Sequence, residues 1–200
     1  MNRSEVAVFT ACSISYLPKA LALAESLYRF DELKTIIYLI DKTRAGLDGG
    51  SFAEIRFIED EAIPNFPQLA FQYDVTELST AVKPMLGERL LESFTKVIYL
   101  DPDICVYASL ERLYVELDSN PILLTPHYYT PIDSREDNYD LAMMRFGSFN
   151  LGFFAVSSAP EALSFLRWWS VRCIELGFFE TQFGLSVDQK WVSIAPCFFP

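Results

Sequence analysis

Apolar residues recur along the chain in short runs that are separated by longer segments of mixed character. The runs typical of strands are 5–11, 35–40, 96–100, 121–125 and 149–157, with a shorter one at 56–58. Two of them, TIIYLI and KVIYL, are almost continuously apolar, which indicates strands that are buried on both faces. These runs predict the strands of a central sheet.

Segments with helical character lie between these runs. Residues 19–30 follow the first strand, and residues 75–93 form a second helical segment that Pro84 is expected to break or restart. A third helix is predicted to begin near residue 158 and to end before Gly177. Strands that alternate with helices predict an α/β fold in which a mostly parallel central sheet carries helices on both faces.

Acidic residues directly follow two of the predicted strands. Ligands of such sheets bind beyond the carboxyl ends of the strands, so Asp41, Asp101 and Asp103 are expected at one edge. The segment 127–148 is long and polar, and it is predicted to form a lid or binding loop. No linker or repeat divides the chain, and residues 1–200 are therefore predicted to form a single domain.

Composition narrows the classes of function. The net charge of −11 and the lack of lysine or arginine clusters argue against a nucleic-acid partner. The four cysteines form no CxxC pair, so a zinc site is not expected. No apolar run approaches the ~18 residues of a membrane span, and the first residues lack the features of a signal peptide. We therefore predict a cytoplasmic protein without a membrane span.

The motif Asp101-Pro102-Asp103 carries the clearest chemical signal. It follows the strand KVIYL, so two carboxylates are expected to project together from the end of a rigid element. Hard cations such as Mg²⁺ and Mn²⁺ prefer oxygen ligands of this kind, completed by water and substrate phosphates. The same three residues are also good turn formers, so a solvated turn is the alternative interpretation.

Four segments in a fixed order resemble the family-8 glycosyltransferases, the retaining group that includes glycogenin and bacterial galactosyltransferases. They are TELSTAVKPMLGERLL, YLDPDICVY, FNLGFFAV and VDQKW, and the resemblance extends over residues 6–200. It implies a GT-A fold, which is a Rossmann-like domain that binds a nucleotide diphosphate sugar. The aromatic sequence APCFFP at the end predicts that this domain is truncated at its C-terminus.

The resemblance implies a donor-binding segment after the first strand. Thr10, Ala11 and Cys12 are expected to line the uridine pocket, and Tyr16 is expected to stack near the base. Relatives often carry an acidic residue where this chain has Cys12 or Ser13, so the identity of the base stays open. Tyr16 has a second interpretation, as a residue at the start of a helix that packs on the core.

The same resemblance implies a cation site with a basic neighbour. Asp101 would contact the metal and the ribose, Asp103 would chelate the metal, and Lys83 would neutralise the donor phosphate. The expected cation is Mn²⁺ or Mg²⁺, and an ordinary solvated lysine is the alternative for Lys83. The family's late metal-binding histidine has no counterpart, and His127, the only histidine, is assigned a structural role or a place in the lid.

Two further segments are expected to hold the transferred sugar. The resemblance assigns sugar contacts to Asn150, close approach to Gly152, and a hydrogen bond with the sugar to Asp188. Gln189 is expected beside the β-face of the anomeric carbon, either as a nucleophile or as the lining of a front-face reaction. The alternatives are an irregular strand at residues 150–152 and a helix cap at Asp188.

Together these expectations describe a metal-dependent enzyme that moves a hexose, with retention, from a UDP-sugar to a glycan, lipid or protein acceptor. One alternative is a non-catalytic module that binds a sugar nucleotide. The other is a haloacid-dehalogenase-type phosphatase, because its first motif is also an apolar strand followed by DxD. That family normally carries the motif on its first strand, whereas here two or three strands are predicted to precede it.

Overall fold

A computed structural model describes residues 5–42, 46–61, 63–131 and 139–199 of the chain. Its strands are β1 Val6–Cys12, β2 Thr35–Leu39, β3 Ala53–Phe57, β4 Lys96–Leu100, β5 Ile122–Pro126 and β6 Phe149–Ser157. Its α-helices are α1 Leu17–Asp31, α2 Phe66–Gln72, α3 Val75–Ala81, α4 Lys83–Leu90, α5 Glu111–Glu116, α6 Tyr139–Phe146, α7 Pro160–Leu176 and α8 Val187–Val192. This mixture of strands and helices confirms the predicted α/β class.

The six strands form one sheet in the order β3-β2-β1-β4-β6-β5. β1 pairs in parallel with both β2 and β4, and β3 pairs in parallel with β2. β6 is antiparallel to both of its neighbours, β4 and β5. The sheet is therefore mostly parallel, as predicted, and the reversal of β6 brings its first residues to the edge where β4 ends.

Helices cover both faces of the sheet because side chains alternate between the faces along each strand. On one face, Phe9 and Tyr99 belong to a buried cluster that contains Trp169 of α7. On the other face, Val8 packs in a cluster with Leu27 of α1. The predicted placement of helices on both faces is confirmed.

The helical segment predicted over residues 75–93 consists of two helices, α3 and α4, which meet at Val82. Pro84 occupies the first turn of α4, where the helix needs no N–H donor, so the predicted restart is confirmed. A capping box begins α3. The Asp74 carboxylate accepts from the Glu77 N–H at 2.8 Å, and the Glu77 carboxylate accepts from the Asp74 N–H at 3.0 Å.

Two predicted segments differ from the structure. The third strand covers Ala53–Phe57 rather than residues 56–58, because it pairs only with β2 at the sheet edge and therefore lacks a continuous apolar run. The segment 127–148 is not simply a loop, since α6 occupies its second half, while residues 132–138 lie outside the described residues. No residue of α6 is buried, and its eight residues are too few for a helical period to identify the helix in the sequence.

The cysteines and the helices bear on two remaining features, disulfides and membrane spans. The four cysteines are free; Cys12 and Cys173 are buried, whereas Cys105 and Cys197 are exposed. Within the described ranges, none of the helices combines the length and the apolar character that crossing a bilayer requires.

Candidate functional site

The candidate site lies at the edge of the sheet where β1 and β4 end. β4 leads into Asp101, and a turn at Pro102 leads on to Asp103. A cleft of 310 Å³ opens there, and its lining includes Ala11, Cys12, Tyr16, Lys83, Asp101 and Asp103. This first cleft therefore joins the loop after β1, the helix α4 and the end of β4.

A second cleft, of 300 Å³, adjoins the first on the side of β6. Its lining includes Asp101, Asp103, Thr125, Asn150 and Gly152. Asn150 and Gly152 reach this edge because β6 is antiparallel to β4, so the start of one strand meets the end of the other. Asp101 and Asp103 line both clefts and thus stand between them.

Tyr99 fixes one oxygen of Asp101. Residues i and i+2 of a strand share a face, so these two side chains point to the same side of the sheet. The Tyr99 hydroxyl donates a hydrogen bond to Asp101 Oδ1 at 2.6 Å. Burial, and then the nearby Asp101 carboxylate, raises the pKa of Tyr99 well above its usual value, so the hydroxyl keeps its proton.

The other oxygen of Asp101 faces Gly152. A Cβ atom at position 152 would lie 3.0 Å from Asp101 Oδ2 and 3.0 Å from Asn150 Oδ1, closer than a side chain usually comes. The Gly152 N–H donates to Asn150 Oδ1 at 2.9 Å, and the Gly152 carbonyl accepts from the Asp101 N–H at 2.8 Å. The close approach of the Asp101 carboxylate explains why glycine occupies this position.

Lys83 is buried, with a side chain that is 5% exposed, so its interpretation as an ordinary solvated lysine is wrong. Its Nζ atom lies 3.2 Å from Asp188 Oδ2 and 3.5 Å from Asp101 Oδ1. The ammonium also donates to the Leu151 carbonyl at 3.1 Å and lies 4.5 Å from the centre of the Tyr99 ring. One buried cation thus joins α4, α8 and the end of β4.

The charges of this cluster depend on one another. Burial lowers the pKa of Lys83, but the carboxylates of Asp188 and Asp101 outweigh it, so the pKa is raised and the amine is charged. Burial, and after it the Asp101 carboxylate, raise the pKa of Asp188, and the Lys83 ammonium only partly offsets this rise. The ammonium is therefore what favours the ionised form of this buried acid.

Asp188 lies in the first turn of α8 and is 2% exposed. The N-cap of α8 is Ser186, so the interpretation of Asp188 as the cap is wrong. Val187 has a φ of 43°, in the left-handed region that β-branched residues avoid. The Trp169 indole N–H donates to the Asp188 carbonyl at 3.1 Å. The backbone at the start of α8 is thus held so that Asp188 meets Lys83.

Gln189 points away from the two clefts. Its Nε2 donates to the Phe146 carbonyl at 3.1 Å, at the end of α6. Gly147 packs against it, because a Cβ atom at position 147 would lie 3.1 Å from Gln189 Cγ. Among the described residues that line the clefts, neither Gln189 nor Asp188 is found. The structure brings Asp188 to the site through Lys83, and it does not bring Gln189 there.

The predicted donor segment divides between the cleft and the core. Ala11 and Cys12 line the first cleft, whereas the Thr10 side chain is fully buried. Even-numbered residues of β1 point toward α1, so Thr10 lies beneath that helix and its side chain does not reach the cleft. Burial, and then Asp41, raises the pKa of Cys12 to about 12, which keeps the thiol neutral.

Tyr16 lies beside the first cleft and is 44% exposed, which does not fit its interpretation as a residue that packs on the core. The Lys19 ammonium lies 4.4 Å from the centre of its ring. Asp41, just after β2, accepts a hydrogen bond from the Ile14 N–H at 2.6 Å. Asp41 therefore helps to fix the loop that carries Tyr16.

The motif offers two carboxylates to a cation. In the part of the chain that the structure describes, no cluster of three or more His, Cys, Asp or Glu side chains could hold a metal ion. His127 is exposed, and its backbone N–H donates to the Ser148 carbonyl at 3.0 Å. A cation at Asp101 and Asp103 would rely on water and substrate phosphates for its remaining ligands, an arrangement that suits Mg²⁺.

Tyr99 is the residue of this site that the sequence analysis did not single out. Its signal was available, since a tyrosine two residues before an acid on a strand shares the face of that acid. Lys83 and Asp188 were each identified, but their contact was not, because it joins two helices that are far apart in the sequence.

No family model matches the sequence, and no curated protein matches it. The fold is similar to that of the glycosyltransferase GlyE of Streptococcus pneumoniae TIGR4, with a TM-score of 0.58 and 18% identity over 96% of this chain and 43% of that chain. An active-site mutant of LgtC gives a TM-score of 0.46 and 19% identity, over 83% of this chain and 59% of that one. Mouse xyloside xylosyltransferase 1, in its apo form, gives a TM-score of 0.47 and 13% identity, over 96% of this chain and 81% of that one.

GlyE has the highest TM-score of these three structures, and at 18% identity the likeness concerns the fold alone. The chain spans less than half of the GlyE structure and 59% of the LgtC structure. The described part of this chain is itself an α/β domain with a mostly parallel six-stranded sheet. The chain therefore has the α/β fold of GT-A glycosyltransferases.

Proposed function

We propose that this chain is the donor-binding domain of a metal-dependent glycosyltransferase that transfers a hexose from a nucleotide diphosphate sugar, with UDP as the expected nucleotide. One observation carries the proposal: two clefts meet at Asp101 and Asp103, at the carboxyl edge of a GT-A sheet. Each cleft, at 310 and 300 Å³, has the size of a small-ligand pocket. From the resemblance to family 8 we further propose that the anomeric configuration of the sugar is retained. The acceptor would be a glycan, a lipid or a protein.

A divalent cation is part of this proposal, and the residues at the motif fit Mn²⁺ or Mg²⁺. Asp103 is exposed beside both clefts, and Asp101 has Oδ2 on the side of Gly152, where the second cleft lies. These two residues would hold the cation. When bound, it neutralises the negative charge that develops on the departing nucleoside diphosphate.

The chain's own residues would divide the donor between the clefts. Tyr16, exposed beside the first cleft, offers a ring on which the base can stack, while Ala11 and Cys12 border the nucleotide. On the other side of the motif, Asn150 offers an amide to the sugar hydroxyls, and Gly152 adds no side chain to the second cleft. The diphosphate would then lie between the clefts, next to the motif.

Lys83 supports the same assignment through its charge. Its side chain lines the first cleft while Asp188 and Asp101 hold its ammonium, so a positive charge is fixed beside the proposed diphosphate position. We assign Asp188 the positioning of Lys83. Its direct contact with a sugar, and a contact of Gln189 with the anomeric carbon, each require the side chain to leave its present partner.

A non-catalytic module that binds a sugar nucleotide is the second candidate. The observation that favours it is the engagement of both predicted catalytic residues, Asp188 with Lys83 and Gln189 with the Phe146 carbonyl. The phosphatase alternative is less well supported, because Asp101 follows the fourth strand of the chain instead of the first.

Thermal unfolding with added nucleotides tests the binding that both candidates share. We expect UDP to stabilise the protein in the presence of Mn²⁺ and to have little effect in its absence. At a concentration about 100 times the dissociation constant, the gain is about 2.7 kcal/mol. GDP, ADP and the matching sugar conjugates serve as controls for the base. A protein that none of these nucleotides stabilises contradicts the proposal.

Hydrolysis of the donor separates the two candidates. Water replaces the unknown acceptor slowly, so an enzyme releases free sugar from a UDP-sugar in a reaction that requires Mn²⁺. The matched control is Asp103→Asn, which is expected to abolish that release. Tight binding without any release, in the intact protein and with several UDP-sugars, would support the binding module instead.

A further inference from the structure

The Tyr99 side chain is tightly packed, so its hydroxyl has a fixed position. It is 1% exposed, its ring stacks on Phe154 with centres 5.4 Å apart, and Phe9 meets it edge-on at 5.1 Å. Its hydroxyl donates to Asp101 Oδ1 at 2.6 Å. The core of the sheet therefore fixes the direction in which this oxygen of Asp101 points.

Lys83 acts on the same oxygen of Asp101. Its Nζ lies 3.5 Å from Oδ1, and it is fixed in turn by the Leu151 carbonyl at 3.1 Å and by the face of the Tyr99 ring. Oδ1 thus has a hydroxyl donor and a cation on the inner side of the site. A metal ion that used this oxygen would have to share it with the hydroxyl and would lie close to the Lys83 ammonium, which repels a cation.

Oδ2 of Asp101 faces the opposite way. It lies where the missing side chain of Gly152 would begin, 3.0 Å from the position of a Cβ atom. Gly152 belongs to the second cleft, and the backbone N–H of Asp101 donates to its carbonyl at 2.8 Å. The carboxylate therefore has one oxygen held inside, by Tyr99 and Lys83, and one oxygen directed toward the cleft.

We propose that Tyr99 is a positioning residue that directs Asp101 to bind the cation through one oxygen, Oδ2. The proposal rests on the proposed function, because it requires a divalent cation at the motif. Mg²⁺ and Mn²⁺ accept carboxylates through one oxygen in a compact octahedral shell, at about 2.0–2.1 Å for Mg²⁺. Ca²⁺ often takes both oxygens, at about 2.3–2.6 Å, so Tyr99 disfavours Ca²⁺ at this site.

The variant Tyr99→Phe removes the hydroxyl and keeps the ring. Mn²⁺ binding is measured by the decrease in the electron paramagnetic resonance signal of free Mn²⁺, with and without UDP, and Ca²⁺ is then added as competitor. Loss of a partner that orients a metal ligand typically lowers metal affinity by about 10–100-fold. We expect a fall of about tenfold for Mn²⁺ and a smaller preference for Mn²⁺ over Ca²⁺.

The matched control is Tyr38→Phe. Tyr38 is a fully buried tyrosine of the same core cluster, and its hydroxyl accepts a hydrogen bond from Arg56 at 3.3 Å. The Tyr38→Phe variant should leave the Mn²⁺ affinity and the preference for Mn²⁺ over Ca²⁺ unchanged. If Tyr99→Phe does not fold, Gly152→Ala tests the same arrangement, because its Cβ would press on Asp101 Oδ2 and should likewise weaken Mn²⁺ binding about tenfold.

The two possible failures are distinguishable. Wild-type protein that binds no Mn²⁺, with or without UDP, overturns the cation site and with it this inference. Wild-type protein that binds Mn²⁺ while Tyr99→Phe binds it equally well, with the same preference over Ca²⁺, overturns only the role of Tyr99. If Tyr99→Phe is unfolded, the decision rests on Gly152→Ala. A Gly152→Ala protein that has the same Mn²⁺ affinity and the same preference over Ca²⁺ as wild type overturns that role.

Discussion

The two sides of Asp101 differ in how they are ordered. On the inner side, Tyr99, Lys83 and Asp188 are almost fully buried. They contact one another or Asp101 at distances of 2.6 to 4.5 Å. On the outer side, Asp103 and Asn150 are exposed beside the clefts. The inner side is therefore arranged before any ligand binds, whereas the outer side is open to water and to ligands.

This difference separates the free energy of folding from the free energy of binding. A charge that is buried with a partner becomes costly when the partner is removed, because the remaining charge has no water around it. An exposed carboxylate stays hydrated when its neighbours change. Substitutions on the inner side should thus alter both stability and binding, and substitutions on the outer side should alter binding alone.

The largest effect is expected for Lys83→Met. This variant leaves Asp188 buried without its cation, and breaking a buried ion pair on one side typically costs about 3–5 kcal/mol of unfolding free energy. Urea unfolding at neutral pH measures the loss. The control is Lys42→Met, since Lys42 and Glu59 form an exposed pair with side chains that are 80% and 38% exposed, and this variant should lose about 1 kcal/mol or less. Equal losses in the two variants would contradict the difference between buried and open charges.

The pH dependence of Lys83→Met checks the cause of that loss. The Lys83 ammonium is the group that lowers the pKa of Asp188 against burial, so its removal should raise that pKa further. An acid whose pKa is higher in the folded than in the unfolded state stabilises the fold while it is protonated, at pH values below its unfolded pKa. This stabilisation is lost as the pH rises through its folded pKa. The deficit of the variant relative to wild type should therefore grow as the pH rises above about 4, the ordinary pKa of an unfolded aspartate. A deficit that is independent of pH would exclude Asp188 as its source.

The next effect belongs to the outer side, where we expect Asp103→Asn to abolish metal-dependent nucleotide binding. An amide keeps the shape of the side chain but is not an anionic ligand, so the gain of about 2.7 kcal/mol from UDP and Mn²⁺ should disappear. The unfolding free energy without ligand should change by about 0.5 kcal/mol or less, because the residue is exposed. Asp118→Asn is the control at a distant exposed acid. A large loss of stability in Asp103→Asn would place Asp103 among the inner residues.

The outer side was the easier side to predict from the sequence. The apolar runs predicted at residues 96–100 and 149–157 coincide with Lys96–Leu100 and Phe149–Ser157, because strands buried on both faces leave a continuous signal. The end of such a strand fixes the position of the acid that follows it, here Asp101. The edge strand β3 lacks a continuous apolar run, so its predicted bounds were less accurate. The helix α6 was not predicted, because eight residues are too few to show a clear helical period.

The inner side depends on packing that the sequence does not display. Lys83 and Asp188 meet only because α4 and α8 cover the same face of the sheet. The position of Gln189 follows from the same packing, since successive residues of a helix point about 100° apart. Once Asp188 points inward to Lys83, its neighbour faces Phe146 instead of the cleft. Sequence order alone could not show which of the two residues would point toward Lys83.

A smaller effect is expected for Asp188→Asn, which tests whether the inner side also serves the reaction. The amide keeps the shape of the side chain and Asp101 still lies 3.5 Å from the Lys83 ammonium, so the variant should lose less stability than Lys83→Met and should bind UDP with Mn²⁺ more weakly than wild type, but still measurably. Donor hydrolysis should fall about tenfold, equivalent to about 1.4 kcal/mol, because Lys83 and the developing positive charge on the sugar lose an anion. The measurement is release of free sugar from a saturating UDP-sugar. Unchanged turnover would remove Asp188 from the reaction, and an unfolded variant would make its role purely structural.

The smallest effect concerns the backbone that aims Asp188 inward. Val187 has a φ of 43°, and a residue with a Cβ atom in this region loses roughly 1–2 kcal/mol relative to the right-handed conformation. Val187→Gly and Val187→Ala both shorten the side chain, but only glycine relieves this strain. We therefore expect the glycine variant to be the more stable of the two by about 1 kcal/mol in urea unfolding.

Val192, which is buried and near the end of the same helix, provides the control for the Val187 pair. Its backbone does not have a positive φ, so Val192→Ala should be more stable than Val192→Gly by about 1 kcal/mol, the reverse of the order at position 187. The opposite orders at two valines of one short helix cannot arise from side-chain size, because the same atoms are removed at both. If alanine is also the better residue at position 187, the segment before Asp188 is not strained, and the contacts with Lys83 and Trp169 must hold Asp188 in the inner site.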